Sequence, residues 1–291
     1  RSSGSLNLSN CALGCIPSEV FRITDGRRLQ PDEKFWEIVE LQHLDLSHNA
    51  IEELGEAFGC ESFPALCSLR VSHNKLSALP PSFATLTDLA ALHANQNGIT
   101  SISSVAWDQL QGLVDLNLSF NKLLELPEQV CRPTLRKLRV KGNRLRSLPE
   151  ALGDMLSLTE LDAAENHLAS VPASLSKCVN LMNIDLSSNA IGPAMPSLKS
   201  LRLLAVLNLR ANRLSQAPEL PDPADAKDVQ IFLGSNKFEG IFDSDSFLPC
   251  SRSIRTIDLS DNHLEGLLGE HLGQLLGLKS LDLRNNDLSD I

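Results

Sequence analysis

One asparagine column constrains this chain more than anything else in it. Asn49, Asn74, Asn97, Asn121, Asn143, Asn166, Asn189, Asn212, Asn236, Asn262 and Asn286 recur at steps of 22–26 residues. Each sits in the frame L-x-x-L-x-L-x-x-N-x-L-x-x-L, clearest at Leu113, Leu116, Leu118, Asn121, Leu123 and Leu126. Of the 55 apolar slots in these eleven copies, 54 hold an apolar residue, and the exception is Asp228. A twelfth, incomplete copy comes first, with Leu6, Leu8, Leu13 and Ile16, and Cys11 in the asparagine slot. A fixed period of this length marks a stack of coils, none of which buries its own apolar face alone.

The x-L-x-L-x segment alternates with period two, which predicts a short strand with leucines turned inward and the x side chains turned to solvent. The asparagine lies where the chain turns; its amide both donates and accepts, so a stacked column satisfies turn groups that would otherwise be orphaned. Cysteine substitutes there as a small residue content to be buried. Leu79-Pro80, Leu126-Pro127, Leu148-Pro149 and Val171-Pro172 close several copies, and proline there ends the extended stretch and opens a helical turn. Apolar pairs at helical spacing follow, as in Leu152 and Leu156, or Leu268, Leu272 and Leu275.

This pattern resembles the leucine-rich repeat along the whole chain. The expected fold is an α/β solenoid of about twelve repeats. A parallel β-sheet forms its concave face, and short helices, 3-10 turns and loops form its convex face. The chain reads as a single domain over 1–291. Its first repeat covers 1–17, a polar insertion 18–40 and regular repeats 41–217. Irregular loops cover 218–228 and 242–253, and the last repeat, 278–291, is incomplete and suggests a continuation. In the insertion, Phe35 and Trp36 either pack back onto the coil or belong to a docking loop. Arg1 through Asn10, with Ile16-Pro17, Phe21-Arg22-Ile23 and Phe35-Trp36-Glu37, resembles the start of the leucine-rich repeat-containing protein 40 family. That resemblance implies an intracellular, non-enzymatic repeat protein.

Composition narrows the function. With 26 basic against 36 acidic residues the net charge is −10, which excludes a general nucleic-acid binder that displaces counterions. No run approaches the ~20 apolar residues of a membrane span. Seven scattered cysteines without a C-x-x-C pair, and without the cysteine caps of extracellular repeat proteins, point to reduced thiols and a cytoplasmic or nuclear setting. No G-x-S-x-G, P-loop, H-E-x-x-H or kinase string occurs, so neither catalytic residues nor a cofactor are expected. His48 and His73 share one slot in successive copies and should lie roughly 5 Å apart. They read as solvated surface histidines, because no further zinc ligands are placed. Asp243 and Asp245 lack the remaining residues of an EF-hand loop.

Function should reside on the concave face, where the outward x positions form one rigid array. The residue between the two strand leucines reads Asn7, Asp45, Arg70, His93, Asn117, Arg139, Asp162, Asp185, Asn208, Phe232, Asp258 and Asp282. The expected partner-binding set is Arg70, His93, Asn117, Phe120, Arg136, Lys137, Arg139, Asp162, Asp185 and Phe232. Phe232 reads as a surface contact, whereas Phe120 either faces solvent or turns inward with the asparagine column. A basic zone through Arg136, Lys137 and Arg139 should adjoin an acidic one at Glu160, Asp162, Glu165 and Asp185, inviting a partner of opposite charge order. The expected role is a protein-protein scaffold or adaptor, with another protein as partner and no nucleic acid, membrane or small-molecule substrate. The alternatives are a recognition module of a larger signalling enzyme and a component of a cytoskeletal or organellar complex.

Overall fold

A computed structural model describes residues 4–22, 40–222, 228–241, 245–265 and 273–289. The Phe35-Trp36 segment, the loop residues 223–227, Asp243, Leu268 and Leu272 lie outside the described residues. The chain divides into two compact units, Arg1–Lys137 and Leu138–Ile291.

In the first unit the strands are β1 (Ser5–Asn7), β2 (His43–Asp45), β3 (Ser68–Arg70), β4 (Ala91–His93) and β5 (Asp115–Asn117). They pair in parallel and in chain order, with Asn7, Asp45, Arg70, His93 and Asn117 in one register row. The unit boundary falls within β6 (Lys137–Arg139). The second unit carries β7 (Glu160–Asp162), β8 (Asn183–Asp185), β9 (Val206–Asn208), β10 (Val229–Phe232), β11 (Glu239–Gly240), β12 (Ile254–Asp258), β13 (His263–Leu264) and β14 (Ser280–Asp282). Here the parallel row runs Asp162, Asp185, Asn208, Phe232, Asp258, Asp282. β11 and β13 form a separate parallel pair.

The alternation behaves as expected: Leu44, Leu69, Leu92 and Leu116, central in their strands, are buried at 1% exposure or less. The asparagine column is a hydrogen-bonded ladder. Asn121 donates from Nδ2 to the carbonyls of Leu118 in its own coil and Ala94 in the preceding one, while its Oδ1 accepts from Ile99 N–H. The same three contacts repeat at Asn49, Asn74 and Asn97. In the second unit they repeat from Asn166 through Asn286. Cys11 departs from expectation. It is exposed, and its Sγ donates to Ser9 O at 3.4 Å in place of the amide.

On the opposite side the prolines do what their fixed φ dictates. Pro80, Pro127, Pro149 and Pro172 hold extended backbone, and each carbonyl accepts the N–H three residues on to open a 3-10 helix. The Leu152/Leu156 pairing does not hold. In a 3-10 helix positions i and i+3 share a face, so Leu152 and Met155 are buried while Leu156 is 53% exposed. In the expected irregular loop at 242–253, Asp245–Cys250 is a further 3-10 helix.

Candidate interaction surface

The exposed sheet face is built from three outward positions per coil, each fixed by a different local rule. The first is the row between the strand leucines. Eight of its twelve residues are Asn or Asp, and in all eight Oδ1 accepts the N–H two residues on. These are Asx turns that end the strand and steer the chain into the asparagine turn. Asn117, Asp162 and Asp185 therefore have a structural task besides any contact with a partner. Asp185 also accepts from Asn208 Nδ2 through Oδ2 at 3.0 Å.

The second is the residue just before the ladder position. Asn10, His48, His73, Gln96 and Phe120 in the first unit all have φ between 54 and 57°. So do Glu165, Ser188, Ala211, Ser235, Asp261 and Asn285 in the second, at 53–56°. Gly142 takes the same place at φ 65°. Left-handed backbone disfavours β-branched residues above all, and none of the twelve is β-branched. This rule escaped the sequence reading, although Gly142 and the missing Val, Ile and Thr were its signal. It also decides Phe120, whose side chain is 39% exposed on the surface rather than in the core.

The third is the charged set. Arg70, Arg136 and Lys137 are exposed, and His93 is half-buried with Nε2 3.5 Å from Asp115 Oδ2. In the second unit the expected charge zones satisfy each other. Arg139 meets Glu160 in a two-bond contact, Nε–Oε1 2.6 Å and Nη2–Oε2 3.1 Å, and Lys141 lies 3.1 Å from Glu165. The Glu165 hydrogen bond raises the Lys141 pKa. Burial, with Asp185 and Glu160 nearby, pushes the Asp162 carboxyl upward against the hydrogen bond from Ala164. Arg284 holds Asp282 down at about 2. Phe232 is half-buried between Asn208 and Asp258 in its row.

The seven cysteines are free thiols, and burial pushes Cys178 up to about 11 and Cys250 to about 12, so neither is a nucleophile at neutral pH. Among the described residues no three His, Cys, Asp or Glu side chains converge as a metal cage. No helix of the described residues is long and apolar enough to cross a membrane. His48 and His73 are stacked, ring centroids 4.2 Å apart and planes 12° from parallel. Loss of water at the stack, and then the neighbouring His48, lower the His73 pKa.

Residues 64–123 match a leucine rich repeat family model, and residues 40–60 and 253–275 match a second Leucine Rich Repeat model. The chain carries leucine-rich repeats. Over 259 residues it is 32% identical to mouse podocan-like protein 1, covering 86% of the chain and 45% of that relative. Over 131 residues it is 34% identical to the probable serine/threonine-protein kinase pats1 of Dictyostelium discoideum, covering 43% of the chain. The chain thus spans less than half of one relative and 4% of the other. The plant peptide hormone receptor RGFR1, solved in complex with RGF2, superposes with a TM-score of 0.72 at 27% identity, covering 85% of the chain and 40% of the receptor.

Proposed function

We propose that this leucine-rich repeat protein is a non-enzymatic scaffold or adaptor that holds another protein against its exposed sheet face, with residues 1–291 working as one repeat domain. The observation that carries this reading is Phe120, a large aromatic held 39% exposed by a left-handed backbone anchored to the ladder. Aromatics on rigid backbone supply contact area at low entropic cost and are enriched at interface centres. In the first unit Arg70, His93, Asn117, Arg136 and Lys137 complete the surface around it. In the second unit Phe232 is the aromatic, with Arg139, Asp162 and Asp185 as its polar surround. Arg136 and Lys137 are exposed and supply the basic contact for an acidic partner. The peptide bound by RGFR1 supports a protein or peptide ligand over a nucleic acid, membrane or small molecule. Free thiols at the exposed Cys11, Cys15 and Cys60, with the amino-terminal resemblance, support an intracellular setting.

The test compares affinity purifications of wild type, Phe120→Ser and the double variant Arg136→Glu/Lys137→Glu by quantitative mass spectrometry. Loss of the same proteins from both variants is expected; unchanged recovery would move the binding surface elsewhere. A second reading, the recognition module of a larger enzyme, is favoured by the similarity to the Dictyostelium kinase. A kinase or GTPase motif elsewhere in the full open reading frame would decide for it.

A further inference from the structure

On the sheet face of the second unit the cations are matched one for one. Arg139 meets Glu160 at 2.6 Å, Lys141 meets Glu165 at 3.1 Å, Arg210 meets Asp258 at 3.2 Å and Arg284 meets Asp282 at 2.6 Å. Asp162 and Asp185 are left over. They are half-buried register partners in β7 and β8, so two like charges stand about 4.8 Å apart. Their hydrogen bonds come from the Ala164 and Ser187 N–H groups, the Ser187 hydroxyl and the Asn208 amide, all of them neutral donors. Beyond Asn208 in the same row stands Phe232, half-buried, with the half-buried Val206 on the diagonal of the β9–β10 pair. Glu160, Asn183, Gln230, Thr256 and Ser280 fill the places that correspond to Val206 in the other coils, so the apolar spot is local.

We infer that this face receives an extended segment of a partner protein that carries a large apolar side chain and a lysine or arginine, the first against Phe232 and Val206, the second over the Asp162–Asp185 pair. It rests on the sheet face being the binding surface, as proposed above, and names the chemistry of what lies on it. Charge chooses the sign: an acidic segment would add to two surplus carboxylates, whereas one ammonium or guanidinium reaches both and offsets their repulsion. Phe232 and Val206 sit on strand backbone, so burying them orders little and supplies affinity. Spacing follows from the sheet. From Phe232 to the middle of the aspartate pair is about two and a half coils, or about 12 Å at the strand spacing. A segment extended across the strands advances about 3.3 Å per residue and turns alternate side chains to the sheet, so four residues span about 13 Å. The basic residue therefore stands four positions from the apolar one, or two where its long side chain bridges the rest.

The experiment selects random twelve-residue peptides displayed on phage against the immobilised full chain, in parallel with Asp162→Asn/Asp185→Asn, Phe232→Thr and Arg136→Glu/Lys137→Glu. Asparagine keeps both strand-ending turns, as Asn117 and Asn208 do, threonine suits a strand position, and thermal melts verify each fold. Peptides enriched on wild type should carry Lys or Arg two or four positions from a large apolar residue. A synthetic copy of the most enriched peptide should bind wild type in fluorescence anisotropy and weaken with salt. Its affinity should fall at least about tenfold for Asp162→Asn/Asp185→Asn and for Phe232→Thr. Enriched peptides without that pairing, or with equal affinity for these variants and wild type, would overturn the occupant. Acidic peptides lost only from Arg136→Glu/Lys137→Glu would also overturn it while leaving the sheet face as the binding surface, and no enrichment on any chain would count against both.

Discussion

Arg210 reaches past one entire coil to hold Asp258, its Nη1 3.2 Å from Oδ2. The intervening coil, which carries β10 between β9 and β12, leaves the path open because its residue at that place is Gly234. A Cβ on Gly234 would sit 2.9 Å from Ser260 Oγ and 3.0 and 3.1 Å from the Asp258 carboxylate oxygens. Asp258 is only 5% exposed, and its Oδ1 also takes the Ser260 N–H and hydroxyl. One guanidinium thus ties two coils across the one between them.

Arg210→Met should destabilise the second unit by about 2–3 kcal/mol, since it leaves a buried carboxylate without its counter-charge. Urea unfolding checks this, and an unchanged midpoint would reduce the contact to a surface pair.

Gly234→Ala should cost about 1–3 kcal/mol through overpacking against Asp258 and Ser260. Addition of Arg210→Met to it should cost less than the sum of the two single effects, because both disrupt one contact. Additive costs in a double-mutant cycle would deny that link.

Asn121→Ala should destabilise by several kcal/mol. It leaves Ile99 N–H without its acceptor, at about 1–3 kcal/mol for a buried unpaired group, and removes one donor each from the Ala94 and Leu118 carbonyls. A melting temperature within a degree of wild type would refute the ladder's energetic role.

Ala211→Gly should stabilise the protein by roughly 0.5–1 kcal/mol. Left-handed backbone costs a Cβ-bearing residue about 1–2 kcal/mol, partly offset by glycine's greater unfolded entropy of about 0.5–1 kcal/mol. Ala211→Val should move the melt the other way, and the same sign for both would contradict the conformational argument.

Asp162→Asn should raise stability at neutral pH by about 0.5 kcal/mol, a small gain because the site is partly open to water. The folded carboxyl titrates above its unfolded value, so its ionisation weakens the fold as pH rises through the folded pKa. Asparagine keeps the turn, as Asn117 and Asn208 do in the same row. The advantage should vanish in acid below the unfolded carboxyl range, and a gain persisting there would point to packing instead.

The repeat period alone determined the coil count, the strand positions, the ladder, and the stacking distance of His48 and His73. Those follow from an apolar-and-asparagine pattern that each coil must satisfy against its neighbour, and pattern is what a sequence displays. Side-chain destination was decided by tertiary structure. Phe120 faces solvent because the ladder holds its backbone left-handed, and Leu156 does so because the helix beside it has three residues per turn. Arg139 and Asp162 read alike as free surface charges. Only stacking coils a few ångströms apart gave one a carboxylate partner and the other a burial cost. Coulomb and desolvation energies depend on distances across coils, and those distances exist only once the coils have stacked.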